Sequence, residues 1–234
     1  WTQHVTMGEP FIEPGVIGLR KGPLTSACRS FHITITGKSG HSARPYEAID
    51  PIPAATNIVS LFYQLCPRSM DSRHPLALTV ASINAGSSFN AIPDQAVITG
   101  TLRASRAQDI DAVQKRMLAV IDGVAKSTGC EIAVDWPVDA PATNNDSALI
   151  DLMADTATDL LGPQGVRWID VPSLGAEDFA FYQQHIPGAI VRLGAAVADV
   201  RGRMPLHSSH FDIDERALTI GAKFLARCAI GASI

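Results

Sequence analysis

The sequence holds no apolar run that would cross a bilayer. The stretch from Pro51 to Pro67 is free of charge, but it carries Asn57 and Gln64 and opens on prolines. A span needs about 20 mostly apolar residues, so no membrane partner is expected. Positive charge is scarce as well: 19 Lys and Arg face 23 Asp and Glu, for a net charge of −4. Without a basic stripe, nucleic acid is not an expected partner. No Cys-x-x-Cys pair occurs among Cys28, Cys66, Cys130 and Cys228, which removes zinc-ribbon and redox-motif readings. Isolated cysteines read as small buried apolar residues, and a reducing, cytoplasmic setting is expected. No basic segment and apolar core follow Trp1-Thr2-Gln3-His4, so no targeting peptide is visible. A start without Met reads as a fragment or a processed chain. Repeats and low-complexity tracts are absent. With 46% hydrophobic and 18% charged residues over 234 positions, what remains is a chain able to bury a core, as one large domain or two small ones.

Residues 1–26 are rich in Gly and Pro and read as turns around one short strand near Val16-Ile17-Gly18-Leu19. From Ser30 onward, Phe31, Ile33 and Ile35 alternate with His32, Thr34 and Thr36, the pattern of a half-buried strand. Asp50-Pro51 opens a helix to about Leu65, since proline suits a first turn. Strands are predicted over 76–83 and 95–103, the second with Ala96, Ile98 and Gly100 on one face. Ile110, Val113, Met117 and Val124 recur at helical spacing until Gly129 stops the run. A fourth strand covers 130–136. The order β-α-β-β-α-β predicts a ferredoxin-like unit.

Residues 135–145 read as a linker. Asn145 or Asp146 then caps a helix over 147–161, followed by a strand over 166–171, a short helix over 177–185, a strand over 189–193 and a last helix over 214–229. This rhythm predicts a piece of an α/β layered sheet. The chain is expected to be α/β. A partial α/β domain with a phosphorylase/hydrolase-like layered sheet occupies 1–26 and 139–234, and an inserted α+β ferredoxin-like (βαββαβ) domain occupies 27–138.

His32, His74 and His185 read as structural. His41 differs, because it lies in the loop Gly37-Lys38-Ser39-Gly40-His41-Ser42-Ala43-Arg44-Pro45, where it can reach a ligand or a neighbouring chain. Gly-Lys-Ser is no phosphate loop, since position 32 holds histidine where that motif needs glycine. His207 and His210 in Leu206-His207-Ser208-Ser209-His210 form a weak ligand pattern after a glycine-containing loop. Neither His-Glu-x-x-His nor Gly-x-Ser-x-Gly occurs, which argues against a single-helix zinc protease and an α/β-hydrolase. Glu177-Asp178 reads first as a helix-start pair that caps and complements the dipole. Asn90, in Phe89-Asn90-Ala91-Ile92-Pro93-Asp94, and Arg103, at a strand end, would suit a substrate carboxylate, which the Arg fork binds through two parallel bonds.

Taken in order with Gln3-His4-Val5, Gly18-Leu19-Arg20-Lys21-Gly22-Pro23, Asp50-Pro51, Gly100-Thr101-Leu102-Arg103 and Gly175-Ala176-Glu177-Asp178-Phe179, these segments resemble one family. It is the metal-dependent amidohydrolases that include aminoacylases, hippurate hydrolases and auxin-conjugate hydrolases, relatives of glutamate carboxypeptidase. The resemblance implies two catalytic-domain segments and a lid/dimerisation domain at 27–138. It implies His4 and His207 as metal ligands of a centre of two divalent ions (Zn, Mn, Co or Ni). It gives His41 the part of a catalytic residue reaching across a homodimer to polarise the scissile carbonyl, with Asn90 and Arg103 binding substrate and Glu177 and Asp178 supporting the site. The implied substrates are small N-acyl amino acids or peptides. The family's His-Asp and Glu-Glu motifs do not occur in residues 1–234, so the chain is expected to be partial and inactive alone. The alternative is a non-catalytic dimerisation or binding protein derived from that family.

Overall fold

The computed structural model describes the backbone of residues 2–6 and residues 12–197 and 208–232. The strands are β1 (Thr2–Thr6), β2 (Ile17–Leu19), β3 (Gly22–Pro23), β4 (Ala27–Thr36), β5 (Gly40–His41), β6 (Leu76–Ala85), β7 (Ala91–Ile92), β8 (Gln95–Ala104), β9 (Glu131–Ala140), β10 (Asn144–Asn145), β11 (Val166–Trp168) and β12 (Ile190–Gly194). The α-helices are α1 (Pro51–Leu65), α2 (Ala107–Thr128), α3 (Ser147–Leu161), α4 (Phe179–Gln183) and α5 (Arg216–Gly231). They form two compact units. An insertion unit comprises Thr25–Ala142 with Leu174–Ala176, and a flanking unit comprises Trp1–Leu24, Thr143–Ser173 and Glu177–Ile234.

The insertion unit is an antiparallel sheet in the order β6-β8-β4-β9, packed against α1 and α2. Alternation in β4 and β8 turns Phe31, Ile33 and Ile35, with Ala96, Ile98 and Leu102, into one core with Ile58 and Phe62 of α1 and Ile110, Val113 and Met117 of α2. Phe31 meets Phe62 and Trp136 edge-on, with ring centroids 6.0 and 6.3 Å apart. Its burial is worth about 3 kcal/mol. Register sets Phe31 opposite Gly100, where a Cβ would overlap the Phe31 ring and the Thr79 carbonyl oxygen. The helix ends follow capping chemistry. The Asp50 carboxylate accepts the Ile52 N–H at 2.9 Å, and Gly129 closes α2 with φ +76°.

The stretch expected to be a linker is instead ordered strand, since β9 continues through Pro137 to Ala140. Pro137 is tolerated because β9 is an edge strand and its register with β4 shifts between Ser30 and His32. At such a bulge no ladder N–H is required of it.

The flanking unit is a mixed sheet in the order β1-β12-β2-β11. β1 pairs parallel with β12 and β11 parallel with β2, whereas β12 and β2 are antiparallel. Ile17, Leu19, Val191 and Leu193 share a core with Ile150, Met153, Phe224 and Cys228 of α3 and α5. The cap of α3 is Asp146, whose carboxylate accepts the Leu149 N–H at 3.0 Å. Asn145 has a different task. Its buried side chain donates to the carbonyls of Arg20 and Ile190 and accepts the Ile190 N–H, each at 2.9 Å. It thereby satisfies backbone groups that no strand reaches.

Candidate functional site

The loop after β4 closes at its base. The Gly37 N–H donates to Asp94, and Lys38 and Ile49 exchange both backbone bonds, at 2.8 to 3.0 Å. Beyond that base, β5 and β7 form a two-residue antiparallel ladder in which Gly40 faces Ile92 and His41 faces Ala91. The ladder brings together two of the residues singled out in the sequence, His41 and Asn90. The Ser42 N–H donates to the Asn90 carbonyl at 3.1 Å. Residues 41–47 and 83–91 are exposed, apart from the half-buried Ser82 just before them.

Both polar side chains have their acceptor atoms engaged locally. The Ala43 N–H donates to His41 Nδ1 at 3.1 Å. A ring nitrogen that accepts carries no proton, so the neutral imidazole holds its proton on Nε2. Ser88 Oγ donates to Asn90 Oδ1 at 2.7 Å, which engages the acceptor of the Asn90 amide and leaves its nitrogen as the donor. The ladder thus offers N–H donors from two neighbouring loops, a pattern suited to a carbonyl or carboxylate oxygen.

Arg103 lies elsewhere. It is eight residues along β8 from Gln95, about 26 Å at ~3.3 Å per residue, at the end of the strand away from the ladder. One guanidinium nitrogen donates to the Leu174 carbonyl at 3.0 Å. Ser26 fastens the same segment through bonds to Leu174 and Gly175. Within one protomer, Arg103 does not join His41 and Asn90.

In the flanking unit, Glu177 carries an ion pair. Its carboxylate pairs with Arg192 at 3.2 Å, with side chains 19% and 11% exposed. Burial pulls the Arg192 guanidinium below its usual range, and Glu177 draws it back. Asp178 is exposed and makes no side-chain cap bond to α4. Arg192 escaped the sequence reading, although a lone Arg between Val191 and Leu193 signals a buried partner. His4 lies on β1 in register with Arg192. His207 lies outside the described residues. His210 and His185 are exposed. His74 was legible only as a turn residue; Nδ1 lies 3.3 Å from the buried Asp109 carboxylate, and the Arg106 guanidinium lies 2.8 Å from Nε2. Among the described residues, no group of three or more His, Cys, Asp or Glu side chains could hold a metal ion.

Residues 27–129 match the peptidase dimerisation domain of the M20 family model. The chain is 34% identical over 222 residues to an N-acetylcysteine deacetylase of Bacillus subtilis, covering 95% of the chain and 56% of the relative. It is also 34% identical over 223 residues to an IAA-amino acid hydrolase of Arabidopsis thaliana, with 92% and 50% covered. A solved structure of a dinuclear-metal-binding M20 peptidase from Bacillus subtilis superposes with a TM-score of 0.75 at 30% identity, covering 99% of this chain and 57% of that one. The chain therefore spans little more than half the length of the curated relatives it matches. Residues 27–129 carry the M20 family's dimerisation domain, and over most of its length the chain is similar to amidohydrolases and peptidases of that family.

Proposed function

We propose that the protein is a dinuclear-metal amidohydrolase that cleaves the amide bond of N-acyl amino acids or small peptides and works as a homodimer through its dimerisation domain. The observation that carries this reading is the separation along β8. His41 and Asn90 sit on one ladder, whereas Arg103 lies toward the other end of β8, about 26 Å along the strand from Gln95 at ~3.3 Å per residue. A small substrate cannot touch both ends of one β8, so one substrate would take Arg103 from one protomer and the His41–Asn90 ladder from its partner. A dimerisation domain supplies the second copy.

The described residues do not make up a two-metal centre. Of the expected ligands, His4 is placed only by its register on β1, and His207 lies outside the described residues. The reaction assigned to this chain is accordingly what its own donors do. His41 Nε2–H donates to the scissile carbonyl oxygen as negative charge develops there, a contribution of about 3–4 kcal/mol for one well-placed donor. The Asn90 amide orients the same substrate, and Arg103 presents its planar fork to the carboxylate. Four buried, unpaired cysteines support a reducing, cytoplasmic setting. Among the described residues, no helix is long and apolar enough to cross a membrane.

The test is amine release from N-acetyl and N-benzoyl amino acids by the full-length protein to which these residues belong, after loading with Zn, Mn, Co or Ni in turn. The expected result is hydrolysis that a chelator abolishes and metal restores. No release with any of the four metals overturns the reading.

A further inference from the structure

Phe89 is 99% exposed, although it is one of the few aromatic residues in the chain. It shares a turn with Asn90, and the Ser88–Asn90 bond of 2.7 Å fixes that turn from both sides of the ring. The flanking residues 83–91 are all exposed, so nothing in the protomer shelters it. Burying such a ring is favourable, a gain the isolated fold leaves unused. Tyr46, 81% exposed, differs in that it carries a polar hydroxyl at the tip of its ring.

We propose that Phe89 is a specificity-determining residue that packs against an aromatic acyl group of the substrate. This rests on the function proposed above. Asn90 and His41 offer donors to the polar amide, so the side chain next in sequence to Asn90 is placed to meet what the carbonyl carries. Against an aryl group, Phe89 gains an offset or edge-to-face contact and buries apolar area on both partners. Against an acetyl group it gains little of either.

The test compares N-benzoylglycine with N-acetylglycine on the metal-loaded full-length protein as wild type, Phe89→Ala and Phe89→Tyr. Binding is read by calorimetry, turnover by amine release and assembly by sedimentation. The ratio of kcat/KM for benzoyl over acetyl substrate is expected to fall about tenfold in Phe89→Ala, with a matching drop in the ratio of affinities. Phe89→Tyr is expected to retain the ratio. An unchanged ratio in Phe89→Ala overturns the proposal while leaving the amidohydrolase reading intact. So does a Phe89→Ala protein that turns monomeric, because the ring would then be a contact between subunits. A wild type that neither binds nor cleaves either compound overturns the amidohydrolase reading itself, and this proposal with it.

Discussion

The Ser42 N–H donates to the carbonyl oxygen of Asn90 at 3.1 Å, so the residue after His41 and Asn90 are tied backbone to backbone. Two exposed loops far apart in sequence behave as one platform. Their side chains are aimed by short local bonds, from Ala43 N–H to His41 Nδ1 and from Ser88 Oγ to Asn90 Oδ1.

Ser88 is accordingly a positioning residue. Ser88→Ala frees the Asn90 amide to rotate and removes one neutral hydrogen bond of about 1 kcal/mol. KM is expected to rise about fivefold with a smaller change in kcat, and Ser88→Thr to restore KM. Steady-state kinetics on one substrate checks this. An equal fall in kcat with KM unchanged contradicts it.

Gly100 is required by Phe31. Gly100→Ala places a methyl group against the Phe31 ring and the Thr79 carbonyl, and overpacking of this kind costs about 1–3 kcal/mol. The midpoint of urea unfolding should fall with the slope unchanged. A variant as stable as wild type would show that the ring shifts without cost.

Asn145→Ala leaves the Ile190 N–H and the carbonyls of Arg20 and Ile190 without their partner. With several buried backbone groups unpaired, the expected loss is about 2–4 kcal/mol. By contrast, Asp146→Ala removes only a cap and costs about 1 kcal/mol. Chemical denaturation of the two variants side by side ranks them, and the reverse order would contradict these roles.

Burial pushes the Cys66 thiol up from 9.0 to about 11, against a weaker pull from Arg116. The folded state holds the proton more tightly than the unfolded state does. The stability this contributes is fully present below pH 9 and is lost as pH rises through 11. Cys66→Ala should flatten the alkaline limb of the stability curve. At pH 8, native Cys66 should stay unreactive to a thiol reagent and react on unfolding.

Local chemistry made much of this fold legible. The caps and apolar periodicity of α1 and α3 set their limits at Pro51–Leu65 and Ser147–Leu161, and the βαββαβ order was readable from alternation and turns. What escaped was non-local. Pro137 looked like a strand end because a proline excludes a paired N–H, yet an edge position with a bulge asks for none. The Glu177–Arg192 pair was hidden because Arg192 lies 15 residues away on β12. The β5–β7 ladder is two residues long, too short for any periodic signal, and only tertiary pairing reveals that it joins His41 to Asn90. The distance between Asn90 and Arg103 was equally hidden, since two residues that suit one carboxylate in sequence stand toward opposite ends of a strand.

The most direct measurement compares metal content and turnover in the wild type and His41→Ala. If His41 Nε2–H polarises the scissile carbonyl, His41→Ala keeps the wild-type metal content and dimer mass but loses at least about 100-fold in kcat. Full turnover in His41→Ala, or loss of metal together with activity, would contradict the role assigned to the ladder.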